Sequence, residues 1–540
     1  MEQQKHTQPH VKALEPSTLI LSIAMSVISA MICMQIIAKL GFSANTSIIG
    51  ALLAMSLARI PISAMSKFKS LDRQNLVQTM SSGAGFAASN CGIFAVSIFA
   101  AMDKPEYINM MLLGGCAATL ISIYFVYSIY DSSLFPASAP WPPGVATAQA
   151  LFAGDEGGAK ARRMFEGIIL GIAGSAVKIP AAFIGLPGTA TFGLPMAGIA
   201  IAFIANIWSM AALAAGLLIR GYLPIITGFD IGKTYIPHGL MVGAGMASLI
   251  QIAYVLYKTN KDNSDSVSED EGVFKVTVTP KETKRALSIG FAVYMASAIG
   301  IAVLTGIANQ LPASKLLLWV AWAGFSSFVA PILIGLCAMR SGWFPGTAVT
   351  IIFLTIGLFL GFNPVSLALL SGFVGCTGPC FADMGFDLKT GWIIRGKSKY
   401  LAYEKDGRKQ QFISEVIGAV IGFVVVAAFM HVYFRLDLLP PTSRVMAVTA
   451  QAAGNQQILM ELLKWGVVGM VIQFISGQKT AIGILLATGL LLNAPMYGIG
   501  VLLAVVVRLV AGKAFMEIIE AGMIAGDGIY GFIIAVMKAF

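Results

Sequence analysis

Residues Ser371–Gly396 read SGFVGCTGPCFADMGFDLKTGWIIRG, and this stretch decides how the rest of the chain is read. It begins as membrane core, small and apolar. It breaks at Gly378-Pro379, gains two carboxylates at Asp383 and Asp387 and a cation at Lys389, and runs into a basic loop. Irregular backbone and ionisable side chains persist at membrane depth only where protein or a water-filled cavity covers them. The stretch therefore reads as part of a pathway or a binding site rather than as an anchor.

Working outward, the surrounding chain is 57% hydrophobic and 11% charged, against about 25% charged in soluble proteins. Many windows long enough to cross a bilayer carry no charge, which fits helices and not the short alternating strands of a membrane barrel. The fold class is all-α: a polytopic membrane protein of about 14–16 transmembrane helices in two related repeats, with broken or re-entrant segments. Residues 1–17 form a polar tail expected on the cytoplasmic side, 18–257 a first membrane repeat, 258–285 a hydrophilic linker and 286–540 a second repeat. Thr18–Leu40 is too long for a signal-peptide core and is expected to stay as the first helix, followed by a span at Asn45–Ile62. The formal charge of +10 sits mostly in loops, as the positive-inside bias requires, and implies no nucleic acid. The six cysteines lie in apolar segments and read as small buried thiols. No cofactor or metal is implied.

The opening stretch has a partner. Ser82–Cys91 (SGAGFAASNC) resembles Ser371–Cys380. Thr147-Ala-Gln-Ala150 recurs as Thr449-Ala-Gln-Ala452 after a Pro-Pro pair in each half, Pro195–Ile199 (PMAGI) as Pro495–Ile499 (PMYGI), and Gly239, Gly243 and Gly245 as Gly522, Gly526 and Gly528. The matches keep their order at a nearly constant separation, the mark of a duplicated transporter core with its site between the repeats. Parallel and inverted repeats both remain open, because the basic loops fit one side only after one crossing is added or removed.

Candidate residues follow. Ser89, Asn90, Pro143, Gly144, Thr147, Gln149, Thr377, Gly378 and Gln451 lie in the broken segments and are expected to bind substrate, half-helix N-termini favouring a carboxylate and unwound carbonyls an amine. Asp383 and Asp387, at i and i+4, share a helix face, so one holds a proton while the other pairs with Lys389; the competing reading places both at a cytoplasmic mouth. Asp527, between two glycines, is the deepest acid of the last segment and a second proton candidate. Glu415 and Glu166 enter apolar helices near their ends and read first as surface residues and second as proton-site candidates, and Glu517 and Glu520 precede Asp527.

Two stretches resemble the oligopeptide transporter family, including its yellow-stripe-like branch: WPPGVATAQALF (Trp141–Phe152) and FADMGFDLKTGWIIRGKS (Phe381–Ser398), the latter with Asp387, Lys389, Thr390 and Gly391 in the family's acidic-basic run. The resemblance implies a compact prokaryotic member, multi-pass in the cell membrane. It further implies proton-coupled import of short peptides or peptide-like substrates such as glutathione or metal chelates. Partners are then the substrate, protons, the lipid bilayer and a possible second copy in a homodimer. A passive channel is the first rival. An intramembrane enzyme is the second, without a His-Glu-x-x-His or Gly-x-Ser-x-Gly run to support it, and neither small-residue run, Ser81–Gly92 nor Ser371–Cys380, ends in the Gly-Lys-Ser/Thr of a phosphate loop.

Overall fold

A computed structural model describes residues 10–41, 67–156, 158–265, 276–342, 344–477, 480–512, 516 and 518–539. The span expected at Asn45–Ile62, and Glu517, lie outside the described residues. The first half runs α1 (Pro16–Leu40), α2 (Leu71–Phe86), a π-helical segment (Ala87–Ile93), α3 (Phe94–Ala101), α4 (Ile108–Ile129), α5 (Pro142–Glu156), α6 (Gly158–Ala176), α7 (Met196–Ile204), α8 (Ile207–Thr227) and α9 (Ile236–Asp265). Helix α10 (Pro280–Leu304) joins the halves. The second half runs α11 (Ala313–Ser341), α12 (Gly346–Phe359), α13 (Pro364–Gly375), α14 (Pro379–Ile394), α15 (Leu401–Arg435), α16 (Pro441–Gln451), α17 (Gln456–Ser476), α18 (Ile482–Leu491), α19 (Pro495–Ala511) and α20 (Ile519–Ala539). Two two-residue strands, β1 (Ile179–Pro180) and β2 (Thr191–Phe192), pair antiparallel after α6. Among the described residues nine helical stretches are long and apolar enough to cross a bilayer. This is a polytopic all-α membrane protein.

Local chemistry sets the helix ends. Pro16 and Pro379 open their helices where the missing N–H costs nothing. Asn206 accepts from the amides of Trp208 and Ser209, so the apolar run Leu194–Ile219 divides into α7 and α8. Within the expected hydrophilic linker, α9 continues to Asp265, and Thr279 with Glu282 forms a capping box that starts α10.

Element order matches across the halves: α1 with α11, α2–α3 with α13–α14, α4 with α15, α5 with α16, and α6–α9 with α17–α20. Helices α10 and α12 have no counterpart among the described residues. The packing is reciprocal. Helix α6 lies along α20 and α17 along α9, the two most extensive helix contacts; α8 packs on α18 and α7 on α19; α5 packs on α14 and α16 on α3. The matched glycines do the same work in both places. A Cβ on Gly243 would sit 2.7 Å from the Cα of Gly466, and one on Gly526 3.0 Å from the Cα of Gly171, so both crossings bring backbone against backbone. Gly41 and Gly342, each at φ 75°, end α1 and α11, and a Cβ on either would lie 3.0 Å from a proline of the opposite half, Pro441 and Pro143 respectively.

One sequence match changes meaning here. PMAGI opens α7, whereas PMYGI opens α19, whose counterpart by order is α8. The two motifs instead pack on one another: a Cβ on Gly198 would lie 3.0 Å from the ring of Tyr497. Their likeness reflects a shared contact of small residues rather than equivalent positions.

Among the described residues two large apolar cores result, neither following a half, beside a small third cluster of Ala452, Ile458 and Leu462. The larger includes Phe86, Phe99, Phe373, Phe381 and Val426; the other joins Met164, Ala200, Leu213, Val501 and Ile524.

Candidate functional site

The broken helices α2–α3 and α13–α14 are the two most buried of the nine spans, and their breaks meet. Pro379 has no N–H to give, so the helix cannot run through Gly378 and the carbonyls of Cys376 and Thr377 lose their helical partners. Helix α4 supplies hydroxyls instead: Thr119 Oγ1 donates to the Cys376 carbonyl at 3.3 Å and Ser122 Oγ to that of Thr377. On the other side, the π-helical segment brings Cys91 against the break. Cys91 and Cys376 each donate a thiol to the other's carbonyl at 3.5 Å, and Cys91 Sγ lies 3.9 Å from Cys380 Sγ. Cys91 and Cys380 are the positions paired by the sequence match of Ser82–Cys91 with Ser371–Cys380, so the two similar stretches touch at matched residues.

One turn further along α14, Asp383 and Asp387 face the same way, and both are fully buried. They are joined by Glu415 of α15, also fully buried, and one carboxylate oxygen from each of the three lies within 4.8 Å of the other two. Helix α2 provides the donors: Ser82 Oγ to Asp383 Oδ1 at 2.7 Å and Gln78 Nε2 to Asp387 Oδ1 at 2.6 Å, with Asn75 holding Gln78 at 3.1 Å. At that separation each pair of charges repels by at least about 3.5 kcal/mol at an effective dielectric of about 20, or roughly 10 kcal/mol for three ionised acids. The cluster therefore holds a counter-charge, a proton or a cation. Its hard oxygens suit either.

The expected pairing of Lys389 with an aspartate is not formed. Lys389 lies on another face of α14, donates to the carbonyls of Ala137 (2.7 Å) and Ala139 (2.9 Å), and sits 4.3 Å from the Trp392 ring centroid. It ties α14 to the proline-rich loop before α5. Beyond the carboxylates lies a buried network that sequence reading missed. Gln411 donates to the Asp387 carbonyl at 2.6 Å and accepts from Arg395 at 2.8 Å. Arg395 and Arg408 both pair with Glu404, and Arg408 also pairs with Asp131 at 3.0 Å. Only the i, i+4 spacing of Glu404 and Arg408 signals any of this in the sequence.

Over residues 16–195 and 195–538 the chain matches the family model of the OPT oligopeptide transporter protein. The chain belongs to the oligopeptide transporter family. No curated protein matches it.

In this family member the remaining candidates fall into three groups. Ser89, Asn90, Thr377 and Gly378 lie in the two segments that meet; Ser89 donates to the Gly85 carbonyl, Asn90 to Ser89 Oγ, and Thr377 to the Val374 carbonyl. Pro143, Gly144 and Thr147 open α5 against α14. There Thr147 donates to the Pro143 carbonyl and Thr390 to that of Gly144, whose missing Cβ leaves room for Lys389. Gln149 is exposed and Gln451 half-buried, and neither is drawn into the carboxylate cluster. Asp527 stands elsewhere, in the second core. Ser175 (2.5 Å), Tyr497 (2.9 Å), the Ala197 amide (3.3 Å) and Lys39 (3.5 Å) hold it, which joins α20 to α1, α6, α7 and α19.

Proposed function

We propose that the protein is a proton-coupled secondary active transporter that imports short peptides or peptide-like substrates, such as glutathione or metal chelates, across the cell membrane by alternating access. The observation that carries this reading is the buried Asp383–Asp387–Glu415 cluster, one turn from the meeting point of two broken helices. A cluster that must hold a counter-charge, placed on the helix that carries a break, links ion occupancy to the packing of that break.

The substrate site lies between the breaks. In the described state it is closed: Ser89, Thr377 and Gly378 are buried and the break carbonyls are taken by Thr119 and Ser122. Substrate entry requires α13–α14 to part from α2–α3 and α4. That motion frees carbonyls for an amine and the N-terminus of α14 for a carboxylate.

Purified protein in proteoliposomes, given an imposed pH gradient and a panel of short peptides including glutathione, tests the reading. Saturable accumulation against the substrate gradient supports it. Downhill flux without saturation indicates a channel, and chemical turnover in detergent an enzyme. Asp387→Asn is expected to lose gradient-driven accumulation and keep counterflow exchange; normal accumulation removes Asp387 from the coupling role.

A further inference from the structure

We propose that Glu415 is the group that takes up and releases the coupling proton, with Asp383 and Asp387 as its fixed partners; this rests on the proton-coupled reading above and assigns its site. The three acids are not equivalent. Asp383 and Asp387 each receive a strong hydrogen bond from α2, through Ser82 and Gln78, which favours their ionised form. Glu415 receives none. Both of its oxygens are buried without a hydrogen-bond partner, and they point into the cluster. A buried ionised carboxylate without donors is costly. A protonated one carries an O–H that the neighbouring aspartates accept.

Among the described residues, the surroundings leave no cation to take that place. From α14, Glu415 faces Asp383, Asp387 and the Cys380 thiol; the π-helical segment adds Cys91, and α1 adds Cys33 beside Asp383. From α2 it meets the neutral Gln78, Ser82 and Gly83. Helices α4 and α20 also pack on α15; they carry Cys116 and Asp527, the latter already paired with Lys39. On its own helix, Arg408 is committed to Glu404 and Asp131. Lys389 and Arg395 of α14 are engaged as described above. Gly83 holds the carboxyl in position: a Cβ there would lie 2.7 Å from both Cδ and Oε2 of Glu415. Parting of α15 from α2 exposes the acid to water. The O–H bond then breaks, the proton leaves to water, and the three carboxylates repel until the cluster is reprotonated from the other side.

The test uses full-length protein in proteoliposomes, with counterflow, gradient-driven accumulation and internal pH read in parallel. Glu415→Gln should exchange peptide as wild type does, accumulate none beyond the level reached without a gradient, and carry no protons with peptide. Glu415→Asp, which keeps a titratable carboxyl, should recover part of both. Wild-type accumulation and proton movement in Glu415→Gln overturn the proposal while leaving proton coupling intact. Loss of exchange in both variants also overturns it, by assigning Glu415 a structural role. Wild type that accumulates nothing under a pH gradient overturns the proton-coupled reading and this assignment together. Manganese(II) serves as the cation probe: thermal stabilisation of wild type but not of Glu415→Gln overturns the proton assignment in favour of a metal ion.

Discussion

Glu404→Gln removes one charge from a buried network of two cations and two anions. Glu404 accepts from Arg395 Nε at 2.8 Å, Arg395 Nη2 at 3.1 Å and Arg408 Nε at 3.0 Å, and it is fully buried. With Gln in its place, Arg408 keeps Asp131 but Arg395 loses the acid it pairs with, so one buried cation stands uncompensated. Breaking a buried ion pair from one side costs about 3–5 kcal/mol. The amide still accepts one hydrogen bond, which sets the expectation near the lower end of that range. The damage also travels: Arg395 is freed from its clamp, Gln411 loses its donor, and Gln411 is what holds the Asp387 carbonyl. The assay is the temperature at which detergent-solubilised protein loses its monodisperse profile. The single variant should fall by several degrees. The double variant Glu404→Gln with Arg395→Gln should recover part of that loss, because the second change removes the unpaired cation while Arg408 keeps Asp131. A single variant as stable as wild type, or a double variant worse than the single by a full additive step, refutes the network as a charge-balanced unit.

Other outcomes follow from the same geometry. Gly243→Leu and Gly526→Leu should each destabilise by about 1–3 kcal/mol or more, since both force backbone apart at matched crossings; thermal unfolding in detergent checks that the two behave alike. Asp527→Asn should lower thermal stability, because four partners lose their acceptor charge, while the proton-to-peptide ratio in proteoliposomes stays at the wild-type value. A membrane-permeant thiol oxidant should arrest exchange by joining Cys91 to Cys380, whose sulfurs are 3.9 Å apart. Reductant should reverse the arrest, and Cys91→Ser should be immune to it.

The sequence made the membrane class and the helix break in Ser371–Gly396 readable, because each has a local signature: long apolar windows, and Gly378-Pro379 inside one of them. Glycines 243 and 526 could be matched by eye because backbone crossings tolerate nothing larger. What the sequence hid is tertiary. Glu415 sits near a helix end in an apolar run, and nothing local says that α15 carries it inward against Gly83. Lys389 stands two residues from Asp387, yet successive residues on a helix point to different faces, so proximity in sequence misdirected the pairing. Arg395, Glu404 and Arg408 look like a basic cytoplasmic loop, and only packing against Asp131 turns them into a buried network. The PMAGI and PMYGI motifs show the reverse error, a true likeness with the wrong structural meaning.

The central claim is that occupancy of the Asp383–Asp387–Glu415 cluster by protons drives substrate accumulation. The most direct measurement is peptide uptake into proteoliposomes under an inwardly directed proton gradient, with and without a protonophore. The expected result is saturable accumulation above the external concentration that collapses when the protonophore dissipates the gradient. Uptake that equilibrates without accumulation, or that ignores the protonophore, contradicts the claim.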